Sequence, residues 1–136
     1  MTYIKWRESY NIGFKEVDDQ HQKLVEILNE LYEAHSSGTS KLIIDESLKK
    51  MIDYTKYHFT SEEKIMENYS YPEIEKHRGE HSDFTNKIDT LKKEMDNNNL
   101  LISLKTLDFL KDWTINHILG SDKDFGEFVR EIETGA

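Results

Sequence analysis

The side chains best suited to chemistry in this sequence are histidines with carboxylates spaced close by. His58-Phe-Thr-Ser-Glu62 sets an imidazole four residues before a carboxylate, and His77-Arg-Gly-Glu-His81 sets two imidazoles at the same interval. On a helix that interval is one turn, so each pair projects from one face. His117-Ile-Leu-Gly-Ser-Asp122 adds a third such group, and His21 follows Asp18-Asp19-Gln20. The chain has six His and no Cys. Imidazole and carboxylate without thiolate suit iron, manganese, copper or zinc. The lack of Cys excludes a disulfide framework, a thiolate zinc site, an iron–sulfur cluster and a Cys nucleophile. Each motif alone is a weak signal, because a His four residues from an acid is common in a chain with 27 Asp and Glu.

The elements that carry these residues turn the motifs into a pattern. Four segments have helical periodicity. At about 18–36, His21, Leu24, Val25, Leu28, Leu31, Tyr32 and His35 recur at steps of three and four. At about 40–67 the stripe is Leu48, Met51, Ile52, Thr55, His58, Phe59, Glu62, Ile65 and Met66. At about 72–95 it is Ile74, His77, His81, Phe84, Ile88, Leu91 and Met95, and Pro72 suits a first helical turn. At about 100–119 it is Leu107, Leu110, Trp113, Thr114 and His117. Asp18 and Asp19 stand where a helix N-terminus favours acid. Loops are marked by Ser36-Ser37-Gly38-Thr39-Ser40, by Asn68-Tyr69-Ser70-Tyr71-Pro72 and by Asp96-Asn97-Asn98-Asn99. No run of strand period competes. Four helices with short connections predict an all-α, up-down-up-down four-helix bundle. An aromatic-rich arm at 1–17 is expected to lie across its surface. A short terminal helix is expected at about 123–133, after a bend that Gly120 permits. The 136 residues then form a single domain, 1–136.

Composition narrows the partners. With 18 Lys and Arg against 27 Asp and Glu, the net charge is −9, which argues against a nucleic-acid binder. No apolar run approaches the roughly 18 residues of a membrane span, and no signal-peptide core is visible. A cytoplasmic protein is the expectation, with a monomer favoured.

Five of the His fall on stripes that face the core: His21, His58, His77, His81 and His117. Unpaired imidazoles there would cost free energy, so five converging without metal make a purely structural bundle untenable. Two carboxylates from different helices can bridge two metals about 3.5–4 Å apart. Five imidazoles, two bridging carboxylates and one bridging oxygen fill all but one position of two octahedral metals. An odd number of imidazoles divides as three and two, and the metal with two keeps the open position. His35, about 21 Å along its helix from His21, is left as a bystander that stabilises the helix C-terminus.

The set His21, His58…Glu62, His77…His81 and His117…Asp122 resembles the hemerythrins, specifically a bacterial single-domain hemerythrin. Asp18-Asp19-Gln20-His21, Met66 with Tyr71-Pro72, and Trp113 four residues before His117 also match. The resemblance covers nearly the whole chain. It implies a non-haem di-iron site, two Fe ions with an oxo or hydroxo bridge, that binds O2 reversibly. It implies that His77, His81 and His117 hold one iron, His21 and His58 hold the iron with the open position, and Glu62 and Asp122 bridge. Trp113, Thr114, Ile118 and Phe59 would wall a dry O2 pocket, with Trp113 reaching toward the open iron. Thr114 departs from the Leu usual in the family, and its hydroxyl either bonds back to the carbonyl of residue 110 or makes the pocket wetter. An electron donor that keeps the iron reduced is an implied partner. A di-iron enzyme or sensor on the same scaffold, reacting with O2, peroxide or nitric oxide, is the alternative. A ferritin-like oxidase is disfavoured, since no Glu stands three residues before any His.

Overall fold

The structure is a computed structural model that describes residues 3–135; residues 1, 2 and 136 of the expected 1–136 domain lie outside it. It is a four-helix bundle. Helices α1 (Lys15–Ser36), α2 (Lys41–Asn68), α3 (Ile74–Asn97) and α4 (Leu104–His117) run up and down in turn. A fifth helix, α5 (Lys123–Thr134), follows α4. No strand occurs among the described residues.

Local chemistry sets the boundaries. Ser40 caps α2, its hydroxyl accepting the Ile43 N–H at 3.4 Å, and Ser103 caps α4 by accepting the Thr106 N–H at 3.1 Å. Pro72 does not open α3. It lies in the turn before Glu73, and the helix begins at Ile74. Nor does Asp18 cap α1, which starts one turn earlier at Lys15. Asp18 instead caps the arm, accepting the N–H of Ile12 at 2.7 Å and of Gly13 at 3.1 Å.

The arm is more than a surface strap. Its Ile4 is buried among Leu24, Leu28, Leu31, Leu107 and Leu110 of the main core. Its Ile12 is buried in a second apolar cluster with Val17, Ile65, Met66, Phe125 and Val129. The side chain of Asn29 clamps Ile4, accepting its N–H at 2.7 Å and donating to its carbonyl at 2.9 Å. Along α1 and α2, His21 and Glu62 fall between residues of the two clusters. A polar layer is therefore sandwiched between two apolar ones.

The largest departure from expectation is at Gly120. The chain does not bend there. Ile118–Asp122 form a π-helical turn that joins α4 to α5 in one helical run. A π turn closes i to i+5, and such turns gather at functional sites. On an ideal α-helix, five residues would carry Asp122 about 140° away from His117. The π turn removes that offset and aims both side chains inward.

Two glycines on helices make a test of packing. A Cβ on Gly126 of α5 would lie 2.1 Å from the carbonyl oxygen of Ile12, which is backbone and cannot step aside. A Cβ on Gly79 of α3 would meet nothing within 4 Å. Alanine is favoured over glycine in a helix by about 1 kcal/mol. Gly79→Ala should therefore raise the melting temperature. Gly126→Ala should lower it, because overpacking of about 1–3 kcal/mol outweighs the propensity gain. Thermal melts of the two variants under identical metal loading check this.

Candidate metal centre

The polar layer is built from every helix of the bundle. His21 comes from α1, His58 and Glu62 from α2, His77 and His81 from α3, His117 from the end of α4, and Asp122 from the end of the π turn. All seven are buried; Glu62 is 0% exposed and His117, the most open, 9%. Their donor atoms form two groups. In one, ligand atoms of Glu62, His77, His81, His117 and Asp122 all lie within 4.8 Å of one another. In the other, those of His21, His58, Glu62 and Asp122 do. The groups share both carboxylates, and they differ by one imidazole.

The geometry fits cations better than it fits hydrogen bonds. The Nε2 atoms of His81 and His117 are 3.1 Å apart, as are those of His117 and His77. Nitrogens on adjacent corners of an octahedron with bonds of about 2.1 Å would sit about 3.0 Å apart. Nε2 of His21 is 3.0 Å from Asp122 Oδ2, yet its N–H is not aimed along a hydrogen bond. Both nitrogens of His21, Oε2 of Glu62 and both oxygens of Asp122 are buried without a hydrogen-bond partner. Each orphan costs about 1–3 kcal/mol, and more when charged. Native cores keep few of them, so five in one layer mark a site built for something else. Positive ions with open coordination positions would satisfy four of these five atoms; the fifth, Nδ1 of His21, belongs to the ring's other edge.

Charge tells the same story. Glu62 lies 2.6 Å from Nε2 of His77, and 3.3 to 3.6 Å from those of His81, His58 and His21. Asp122 lies 2.9 Å from His77 and 3.2 Å from His117. Burial pushes the Glu62 carboxyl up, but the four imidazoles hold it well below the usual carboxylate range. Asp122 is likewise lowered, against burial and the repulsion of Glu62, by His117 and His21. Burial lowers His21 and His77, yet the two acids outweigh it and raise them to about 9 and about 10. For His58 burial wins, and its pKa is lowered. Two fixed anions thus demand positive charge in a dry interior.

An outer ring of groups holds the imidazoles. His58 donates through Nδ1 to Gln20 Oε1 at 2.7 Å, and Gln20 donates in turn to Ser61 at 3.1 Å. His81 donates through Nδ1 to Glu63 Oε2 at 2.8 Å. Nδ1 of His117 is 4.0 Å from Glu80, which accepts from the Ser121 hydroxyl at 2.7 Å. None of Gln20, Glu63 or Glu80 stands out in the sequence. They flank the periodic stripe, where polar residues are ordinary, and only adjacency to a ligand position could have pointed to them.

The four pocket candidates surround the layer. Phe59 lies flat on the His81 ring, 3.7 Å between centroids and 2° between planes. Trp113 stacks on His117 at 4.5 Å and on Phe84 at 3.8 Å. Its ring is thus against the group with three imidazoles, not reaching toward the group with two. Thr114 and Ile118 are buried one turn apart. His35 sits in the last turn of α1, half-buried and outside both groups.

Comparison with known proteins agrees with this construction. The family model described as the hemerythrin HHE cation binding domain matches residues 12–129. A bacteriohemerythrin of Stenotrophomonas maltophilia is 30% identical, over 99% of this chain and 92% of its own. One of Methylococcus capsulatus is 31% identical, over 93% and 94%. A myohemerythrin of Theromyzon tessulatum is 26% identical over 87% of both chains. The crystal structure of a wild-type hemerythrin superposes with a TM-score of 0.86 at 28% identity, covering 92% of this chain and 96% of the other. A fold, a buried layer of imidazoles and carboxylates and these likenesses lead to one conclusion: the chain belongs to the hemerythrin family.

Proposed function

We propose that this chain binds O2 reversibly at a di-iron centre, as a carrier, a store or a delivery protein. The observation that carries the reading is the pair of buried donor groups that share Glu62 and Asp122 but differ by one imidazole. His77, His81 and His117 would hold one iron, and His21 and His58 the other. Glu62 and Asp122 would bridge the two. When bound, the irons supply the electrons and the open coordination position that O2 binding needs. The protein supplies the rest. Five neutral imidazoles and two carboxylates leave two ferrous ions only a small residual charge, which a buried layer tolerates. Phe59, Trp113 and Ile118 keep bulk water from the layer, and a dry wall slows irreversible oxidation.

Thr114 is where this chain differs from that plan. It is a buried hydroxyl, 4% exposed, on a wall that is otherwise apolar. It favours a second reading, a di-iron enzyme or sensor that reacts with O2, peroxide or nitric oxide. For either reading, the chain acts in the cytoplasm as a monomer, with a one-electron donor returning oxidised iron to the ferrous state. Among the described residues, no helix is long and apolar enough to cross a membrane.

One experiment separates the readings. Iron content and absorption spectra are followed through an oxygenation–deoxygenation cycle, for the wild type and Thr114→Leu. Two irons per chain are expected, with an O2-dependent visible band that vanishes on deoxygenation. Thr114→Leu should decay to the ferric form more slowly. Oxidation within a single exposure, with no reversible band, would overturn the carrier reading. Equal decay rates would remove Thr114 from the argument.

A further inference from the structure

We infer that Glu63, itself oriented by Arg78, is the positioning residue that locks His81 for metal binding and makes it the strongest imidazole donor of its group. The inference rests on the metal-centre reading above and goes beyond it to a residue outside both donor groups.

His81 is held on two axes. Phe59, parallel to it at 3.7 Å, fixes the plane of the ring. The bond from Nδ1–H to Glu63 Oε2, at 2.8 Å, fixes rotation within that plane. It also fixes the tautomer: with the proton on Nδ1, the Nε2 lone pair points into the layer. Glu63 is itself held. Its Oε1 lies 3.4 Å from Nε of Arg78, and the terminal nitrogens of Arg78 bind Glu75 and Glu67. Glu63 follows Glu62 on α2, and Arg78 follows His77 on α3. The pair therefore ties the two helices together at the edge of the metal layer. A cleft of about 330 Å³ lined by Lys56, Thr60, Ser82 and Asn86 reaches Glu63 and His81 from outside, so the acid stays hydrated on one side.

The outer partners of the imidazoles are unequal. His58 donates to a neutral amide, Gln20. His117 is too far from Glu80 for a hydrogen bond, and Nδ1 of His21 has no partner. Of these four imidazoles, His81 alone meets a carboxylate at hydrogen-bond distance. A carboxylate acceptor raises the basicity of the imidazole it orients, and losing one typically costs roughly 10–100-fold in metal affinity. The three-imidazole group is thus the more electron-rich by its second ring of contacts as well as by its count.

The test is titration of metal-free protein with Co(II), whose absorption reports the number of ions bound and their geometry. It is combined with proton NMR of the His81 Nδ1–H in the Zn(II)-loaded protein. Glu63→Leu should weaken one of the two Co(II) equivalents roughly 10–100-fold and erase the protected Nδ1–H signal. Glu63→Gln keeps an acceptor oxygen, so the signal should persist with a smaller loss. Glu67→Gln removes an equal charge without touching His81 and should bind Co(II) like the wild type. Wild-type affinity in Glu63→Leu would overturn the inference, and so would an equal loss in Glu67→Gln. If circular dichroism shows Glu63→Leu unfolded, Glu63→Gln decides: weakened Co(II) binding supports the inference and wild-type binding overturns it. A wild-type chain that takes up no Co(II) would instead overturn the metal-centre reading itself.

Discussion

Glu62→Ala should strip both irons from the protein in one step. Glu62 is the most buried member of the layer and faces four imidazoles from α1, α2 and α3. A terminal ligand serves one ion, whereas a shared carboxylate serves two. Its loss removes a donor from each group and raises the net charge of the buried layer by one. Iron content is expected to fall from two per chain to below one, with the O2-dependent band lost entirely. His58→Ala is the informative contrast. It touches only the two-imidazole group, so the three-imidazole group should keep its ion while O2 binding fails. Two irons and a normal band in Glu62→Ala would refute the bridging role.

Metal removal should be the second large effect, and on stability rather than on binding alone. The layer contains orphaned acceptors on Glu62 and Asp122 and a doubly orphaned imidazole, His21. Without cations, the carboxylates are balanced only by protons drawn onto His21 and His77, as their raised pKa values indicate. Protons satisfy fewer of these atoms than ions do, and ion binding to the native state is folding free energy. An ion at a thousand times its Kd adds about 4 kcal/mol, which for a chain of this size is a rise in melting temperature on the order of 15 °C. Calorimetry of chelated and reloaded protein measures it. An unchanged melting temperature would mean that the layer is satisfied without metal.

Much of this was legible in the sequence because two periodicities coincide. The stripe that buries Leu24, Leu28, Leu48, Met51, Phe84 and Leu110 also carries the His and Glu62. Marking the core of each helix therefore marked the layer too. What escaped has local causes. Pro72 is compatible with a helix start and with a tight turn alike, and the hydrogen bond from Ile74 N–H to the Tyr71 carbonyl chose the turn. Asp18 looked like a helix cap because acids favour first turns. It is consumed by the arm, which no periodic signal connects to α1. The stacking of Trp113 on His117 depends on a rotamer, and spacing is silent on rotamers. Gly120 suggested a bend because glycine breaks helices, but a π turn absorbs the extra residue without leaving the helix.

That turn has a consequence for how the chain can change in length. From Leu104 to Thr134 the backbone is one continuous rod that carries a single surplus residue between His117 and Asp122. Each residue of an α-helix advances about 100°. Deleting one residue there would restore an ordinary α-helix and rotate everything beyond it by that angle. Asp122 would leave the layer, and in the same motion Phe125 and Val129 would leave their cluster with Ile12. The coordination of the ions and the docking of the arm are thus written in one register. Relatives of this protein can vary the loops at either end of the bundle freely, but insertions and deletions across 117–122 must come in compensating pairs.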